Sequence, residues 1–382
     1  MKKTVPLDTL RPRRILVRGV NWLGDAVMSA PALQRLRERF PDAHITLLCP
    51  EKLRDLWQFH PALSKIISFG PHDSVFTTAA QLRRGCFDLV LVFPNSPRSA
   101  LESYFAHIPH RIGYSRSWRN LFLTHPLPPR PGAVKMRQRP VSEIKKLVAD
   151  LKNQRREEFP LSAHHMHEYL NLVAALGANP EPLAPVLEVG EQEIEHVRTK
   201  FSLPDSDLPI FGVNPGAEYG PAKRWPADRF AATVSHLQEL THGTWIVFGG
   251  PNDVALAKQI VDSIGSTAQP ILNLAGETSL RELMALLKIS RVLLTNDTGP
   301  MHVAAALGTP VVVPFGSTSP ELTGPGDPAE TRHQLLKSSV PCAPCFRRQC
   351  PIDFRCMNGL SVEKVAQAFM AAVNPPPAAV AA

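Results

Sequence analysis

The feature that most constrains this chain is a strand-then-helix alternation that starts twice. Arg14–Val20 is an apolar, β-branched run with polar flanks. Asp25 to Phe40 follows with apolar residues at 26, 27, 30, 33 and 36, close to the helical period. Further strands are predicted at His44–Leu48, Lys65–Phe69 and Phe87–Phe93, with helical stretches between them. A second set begins near Glu191, with strands at Pro209–Val213, Thr244–Phe248, Ile271–Asn273, Arg291–Leu294 and Thr309–Pro314. Strands separated by helical stretches cannot close as hairpins, so the pattern specifies α/β, doubly wound parallel sheets. A length of 382 residues accommodates two such domains with separate cores. Val141–Arg155 and His165–Leu176 are predicted helices, the second ended by Gly177, and proline-rich Asn179–Pro185 reads as the linker. The expected division is 1–185, 186–340, and a segment 341–382 with four cysteines, a helix at Ser361–Val373 and a disordered Pro/Ala tail.

An apolar content of 44% with 20% charged residues fits a soluble globular protein, and no apolar run approaches the roughly 18 residues of a membrane span. Met1-Lys-Lys-Thr-Val-Pro is followed by no long apolar stretch, so no signal peptide is expected and the predicted location is cytoplasmic. The net charge of +8 conceals an asymmetry: residues 1–160 hold 27 Lys and Arg against 13 Asp and Glu, and residues 161–382 hold 15 against 21. The densest basic stretch is 130–156, with Arg130, Lys135, Arg137, Arg139, Lys145, Lys146, Lys152, Arg155 and Arg156. It reads either as a solvated surface or as a patch for an anionic membrane, where each basic residue is worth about 1 kcal/mol. No aromatic-rich pattern accompanies the charge, so nucleic acid is not the expected partner.

Cys49 and Cys86 sit in apolar, strand-like surroundings and are expected to be buried free thiols. The remaining four are crowded as Cys342-x2-Cys345-x4-Cys350-x5-Cys356. In a cytosolic chain such crowding favours metal over disulfides. Four thiolates can close a tetrahedral zinc site, and the spacing also admits an iron–sulfur cluster. The second half departs from a paired C-x2-C pattern, so reduced structural thiols stand as the other reading.

Two turns carry most of the chemistry. Asn214-Pro-Gly-Ala-Glu-Tyr-Gly-Pro-Ala-Lys-Arg-Trp-Pro226 and Thr295-Asn-Asp-Thr-Gly-Pro-Met-His302 each join a predicted strand to a predicted helix. In an open parallel sheet such turns lie at the carboxyl ends of the strands, where ligands bind. Lys223 and Arg224 supply fixed positive charge; Thr298, Gly299 and the amides of a helix start suit a phosphate. Asp297 and His302 add groups for a sugar or ribose. Together these residues read as a nucleoside diphosphate site.

The two turns, with Gly19-Val-Asn-Trp-Leu-Gly-Asp25, Pro94-Asn-Ser96, Ile108-Pro-His-Arg-Ile-Gly113 and Asn273-Leu-Ala-Gly-Glu-Thr278, resemble the ADP-heptose:lipopolysaccharide heptosyltransferases, in particular the type II enzymes. The matching strings run in the family's order from residue 15 to about 325. The resemblance implies a GT-B fold, two Rossmann-like domains facing a cleft, with the acceptor on the N-terminal domain and the nucleotide sugar on the C-terminal one. It implies inverting transfer of L-glycero-D-manno-heptose from ADP-heptose to the heptosyl-Kdo2-lipid A inner core, without a catalytic cofactor, by a peripheral enzyme on the cytoplasmic face of the inner membrane. The alternatives are a type I or III specificity and, in another class, a non-catalytic nucleotide-sugar or metal-binding module.

By the same resemblance Asp25 is the proposed base and Lys223 the residue on the diphosphate. On spacing alone, Asp25 also fits a helix N-cap or a first-turn carboxylate, and Lys223 a solvated loop lysine. Asp297 is expected on heptose hydroxyls, Thr298 and Gly299 on phosphate, and Glu277 on the ribose or adenine side, with capping of the following helix as its structural alternative. Glu218, Arg224 and His302 complete the expected donor set, and His302 also fits a core-facing role. Trp22, Arg137, Arg139, Lys145 and Lys146 form the expected acceptor set, although Trp22 equally suits domain packing. His164, His165 and His167 are expected at a surface or interface, outside any metal site. The C-terminal helix 361–373 is expected to cross back onto the first domain.

Overall fold

The computed structural model describes residues 6–150, 155–204, 208–265 and 271–375. Lys152, the amino-terminal Met1-Lys-Lys-Thr-Val and the tail beyond 375 lie outside the described residues. The chain forms two compact units: residues 1–133 with 162–188, and residues 134–161 with 189–382. The basic segment 134–161, assigned above to the N-terminal domain, thus packs with the second unit.

The first unit is built on six strands: β1 (Arg14–Arg18), β2 (His44–Pro50), β3 (Lys65–Phe69), β4 (Leu89–Val92), β5 (His110–Tyr114) and β6 (His125–Leu127). Their order is β3-β2-β1-β4-β5-β6, and every pairing is parallel. The second unit repeats the plan with β7 (Ile210–Asn214), β8 (Thr244–Val247), β9 (Ile271–Asn273), β10 (Ser290–Thr295), β11 (Val311–Phe315) and β12 (Gln334–Lys337). Its order, β12-β11-β10-β7-β8-β9, is likewise all parallel. Central strands β4, β7 and β11 are buried at every position, as strands covered on both faces must be.

Both sheets reverse direction of winding once, between β1 and β4 in the first and between β7 and β10 in the second. At such a switch point the connections leave to opposite faces and open a crevice at the carboxyl ends of the strands. Gly19–Asp25 and Pro94–Ser96 follow β1 and β4; Pro215–Lys223 and Asn296–Gly299 follow β7 and β10. The principal sequence motifs therefore fall at the two positions where this architecture binds ligands.

The C-terminal helix, Val362–Val373, packs within the second unit. Phe369 is fully buried there, with ring centroids 5.5 Å from Phe211 and 5.4 Å from Trp245. Burying each such side chain contributes about 1.5–3 kcal/mol.

Candidate functional site

In the second unit the loop after β7 is held by Asn296, the residue after β10. Its amide donates to the carbonyl of Pro215 at 2.7 Å, and its side-chain oxygen accepts the Trp225 amide at 2.9 Å. Asn296 is fully buried, so both ends of the Pro215–Trp225 loop are fixed from the neighbouring strand. Gly220 has φ +148°, and a Cβ there would stand 2.6 Å from the carbonyl oxygen of Arg348; only glycine fits. The short 3₁₀ turn Pro221–Lys223 then presents Lys223.

Lys223 Nζ lies 2.7 Å from Asp297 Oδ2, with the two side chains 14% and 4% exposed. The two strand-end motifs are thereby brought together. The Thr318 hydroxyl, from the turn after β11, donates to the same Asp297 oxygen at 2.5 Å. Arg224 is directed elsewhere, to Asp253 Oδ1 at 3.3 Å. His302 is buried one turn into the helix Gly299–Ala306, and burial pushes its imidazole down to about 4 despite the nearby Asp297 charge. It is a neutral histidine there, consistent with the core-facing alternative and unsuited to act as a cation on phosphate.

Thr298 occupies the N-cap of that helix in an extended conformation, and its side chain does not cap it. Pro300 contributes no N–H and the Met301 amide donates to Thr298 O at 3.1 Å, so the Thr298 and Gly299 amides are the ones at this helix start that suit an anion beside the helix dipole. Glu277 is exposed after Gly276, whose φ is +82°. It does not cap the following helix: Ser279 and Glu282 form that capping box. Glu218 is exposed on the Pro215–Trp225 loop.

In the first unit, Trp22 is the N-cap residue of the helix Leu23–Arg39 and Asp25 lies within its first turn, so the structural alternative for Asp25 stands as a first-turn carboxylate and not as the N-cap. Asp25 is half-buried, and after burial its charge is the next cause holding the Tyr169 hydroxyl well above the ordinary tyrosine range. Trp22 is 47% exposed, with Lys52 Nζ 5.5 Å from its ring centre.

Beneath this loop lies a charge network that the sequence pattern did not reveal. Buried Arg18 pairs with Glu102 at 2.9 Å and donates to Asn21 Oδ1 at 3.0 Å; Arg98 takes the other oxygen of Glu102 at 2.8 Å. Glu102 is 84 residues from Arg18, with three strands in the chain between them, so no local motif announces it. Arg119 is also fully buried and bonds Asn95 Oδ1, Tyr114 O, Val92 O and Pro94 O, which ties down the Pro94–Ser96 turn.

Of the two expected acceptor arginines, Arg139 is committed inside the second unit and Arg137 is not. Arg139 is buried; its amide donates to Cys345 O at 2.9 Å and its guanidinium pairs with Glu157. Arg137 pairs with Glu143 at 3.0 Å but stays exposed, whereas Arg156 is buried against the residues after β11. Lys145 and Lys146 remain exposed. A count of basic residues along the chain overstates the patch, because guanidinium groups with internal partners do not face solvent.

Cys342, Cys345, Cys350 and Cys356 all line one small cavity, with Ser317 and Arg355 among its other walls. All four are unbridged, and burial together with the neighbouring thiols pushes Cys356 up to about 12. Among the described residues no three His, Cys, Asp or Glu side chains are arranged to hold a metal ion, so the zinc or iron–sulfur expectation gains no support. Nor is the segment remote from the donor motifs: Tyr219 Oη donates to Phe346 O at 2.7 Å, and the Ala222 amide to Arg348 O at 3.0 Å. Cys49 is buried as expected, whereas Cys86 is exposed in a turn at φ +47° before β4.

A profile of glycosyltransferase family 9 (heptosyltransferase) matches residues 75–354. The chain belongs to this family and is a glycosyltransferase. Within the family the relatives it resembles include the heptosyltransferases 2. Lipopolysaccharide heptosyltransferase 2 of Salmonella typhimurium is 33% identical over 356 residues, covering 86% of this chain and 95% of that protein. The Escherichia coli K12 protein of the same name is 32% identical over 361 residues, with the same coverage of 86% and 95%. The solved structure of E. coli ADP-heptose lps heptosyltransferase II matches with a TM-score of 0.74 at 27% identity, covering 94% of this chain and 98% of that one. The GT-B class, with its two Rossmann-like sheets, is borne out. No helix among the described residues is long and apolar enough to cross a membrane.

Proposed function

We infer that this chain transfers L-glycero-D-manno-heptose from ADP-heptose to the heptosyl-Kdo2-lipid A inner core, adding the second heptose with inversion. The observation that carries the reading is the Lys223–Asp297 pair at the switch point of the second sheet, beside the amides of the Gly299 helix. The relatives named heptosyltransferase 2 support the specificity.

In this reading the acceptor hydroxyl attacks the anomeric carbon while its proton passes to the Asp25 carboxylate. A carboxylate is too weak to ionise an alcohol beforehand, but it takes the proton as the new C–O bond forms. The bond from the anomeric carbon to the diphosphate breaks, and ADP departs with one more negative charge. Lys223 and the amides at Thr298 and Gly299 stabilise that charge as it develops, which is where fixed electrostatics lower a barrier most. They supply the service that a divalent cation provides in other enzymes, so turnover is expected to survive chelator. Asp297 accepts from heptose hydroxyls, and exposed Glu277 and Glu218 lie toward the nucleoside. Arg224 is held by Asp253, and buried His302 is neutral.

Trp22 and the exposed Arg137, Lys145 and Lys146 are assigned to the acceptor and to the anionic surface in which it is embedded, on the cytoplasmic face of the inner membrane. The test is ADP release from ADP-heptose with heptosyl-Kdo2-lipid A, compared with Kdo2-lipid A lacking the first heptose. Turnover with the second acceptor alone assigns a type I specificity instead. Binding of ADP-heptose with no turnover on either acceptor points to the non-catalytic module.

A further inference from the structure

Thr318 stands in the turn after β11, and its hydroxyl donates to Asp297 Oδ2 at 2.5 Å; Thr318 is 5% exposed and Asp297 3%. Lys223 Nζ makes its ion pair with that same oxygen. Neither contact falls on Oδ1. The turn is held from two directions. Buried Arg156, 162 residues away in sequence, donates to the carbonyl of Thr318 and reaches those of Phe315 and Gly316 at 3.4 and 3.5 Å. From the cysteine segment, the amides of Cys345 and Phe346 both donate to Ser317 O, at 3.1 and 2.7 Å. Each carbonyl from Phe315 to Thr318 is therefore an acceptor for Arg156 or for the cysteine segment, and the hydroxyl is aimed by a fixed backbone.

A lysine ammonium cannot hold Asp297 tightly and give its full charge to a departing diphosphate. When Nζ turns to the diphosphate, Asp297 is left as a buried carboxylate without a cation. Removing one partner of a buried charged pair is costly unless hydrogen bonds remain on the other. His302 is no substitute, since its burial keeps it neutral. The Thr318 hydroxyl is the contact that stays.

We propose that Thr318 is a positioning residue for the donor sugar: it holds the Asp297 carboxylate in place when Lys223 moves to the diphosphate, so that Oδ1 accepts from a sugar hydroxyl. Arg156 and the Cys345–Phe346 backbone are the supports that aim it. The proposal rests on the reading of Asp297 as the sugar contact.

The experiment compares Thr318→Val, Thr318→Ala, Thr318→Ser and Asp297→Asn with the wild type. Calorimetry gives the affinity for ADP-heptose and for ADP, and steady-state assays give kcat and KM for the donor. A hydrogen bond to a charged group is worth enough that Thr318→Val should weaken ADP-heptose binding and lower kcat/KM about 10- to 100-fold, with ADP affinity changed by no more than about twofold. Thr318→Ser should restore both. Where Thr318→Val fails to fold, Thr318→Ala carries the same readout. Wild-type sugar discrimination in Thr318→Val or Thr318→Ala, or a Thr318→Ser enzyme as impaired as either, overturns the proposal. Asp297→Asn separates the two layers. If it leaves the ratio of ADP-heptose to ADP affinity unchanged, the sugar reading of Asp297 fails and the proposal falls with it. If it collapses that ratio while Thr318→Val does not, the proposal fails alone.

Discussion

Lys223→Met removes the ammonium of the candidate donor site and keeps most of the side chain's bulk. With Lys223 14% and Asp297 4% exposed at 2.7 Å, this pair differs from the solvated surface pairs that contribute about 0–1 kcal/mol. For a unit charge about 4 Å from a phosphate oxygen, an effective dielectric near 20 gives about 4 kcal/mol per unit of charge that develops. Part of that is offset, because Lys223 must give up Asp297 to reach the diphosphate. A net loss of about 2–3 kcal/mol follows, or roughly 30- to 150-fold in kcat/KM. The ground-state diphosphate already carries charge, so the Kd for ADP-heptose should rise too, but only about fivefold, because stabilisation confined to the transition state appears in kcat. The assay is continuous ADP release under saturating acceptor, with donor Kd measured separately by calorimetry. Asp297→Asn is the companion variant, and the double variant closes a cycle whose coupling energy reports the pair itself. An unchanged kcat, with KM and Kd rising together, would refute the catalytic role and leave Lys223 as a plain binding residue. Breaking the pair also strands a buried carboxylate, at about 3–5 kcal/mol, so kinetics should be measured well below the variant's melting temperature.

Asp25→Asn should lower kcat about 10²–10⁴-fold while donor affinity holds, as loss of a general base does; more than half of wild-type turnover with saturating acceptor eliminates the assignment. Lys145→Glu with Lys146→Glu should abolish salt-sensitive sedimentation with anionic vesicles and leave ADP-heptose affinity unchanged, and salt-insensitive binding would return this helix to an ordinary solvated surface. His60, buried in the first unit, is pushed by burial from 6.5 down to about 4. The unfolded chain therefore takes up its proton first: the neutral ring's contribution is complete above 6.5 and is lost as pH falls toward 4, by up to about 1.4 kcal/mol per pH unit. His60→Leu should flatten the pH dependence of urea stability across that window, and parallel curves for the two proteins would sink the idea.

The strands that carry the motifs were legible because β1, β2, β7, β8, β10 and β11 are long enough, and apolar enough, to show as runs. Strands β5, β6 and β12 were not. His110-Arg-Ile-Gly-Tyr114, His125-Pro-Leu127 and Gln334-Leu-Leu-Lys337 are short and carry polar residues or proline, and β6 and β12 lie at sheet edges where only one side is paired. Their strand character comes from the neighbour they pair with. The convergence of Lys223 and Asp297 could be read from two strand-to-helix turns, since parallel strands present such turns at one end. Thr318, Arg156 and Asn296 could not, because their roles depend on which strands are adjacent. The basic stretch misled for the same reason: charge is visible in a sequence, but the internal carbonyls that absorb Arg139 and Arg156 are not.

The division of the chain bears on how it must be made. Residues 134–161 interrupt the first unit yet pack with the second. During synthesis the first unit is complete once residue 188 has emerged, but Arg139 then waits for Pro341, 202 residues away, and Arg156 for Thr318. For that interval the nascent protein carries an unpacked, strongly basic segment between the finished six-stranded sheet and the helix Met166–Ala174 of the same unit. An isolated first unit ending at 188 should therefore display a protease-sensitive loop, and deleting 134–161 should remove it. An isolated second unit beginning at 189 would lack the guanidinium that holds the turn after β11. The two units cannot be parted by a single cut in sequence, so domain-level expression of this enzyme calls for a graft of 134–161 onto the second unit rather than a truncation.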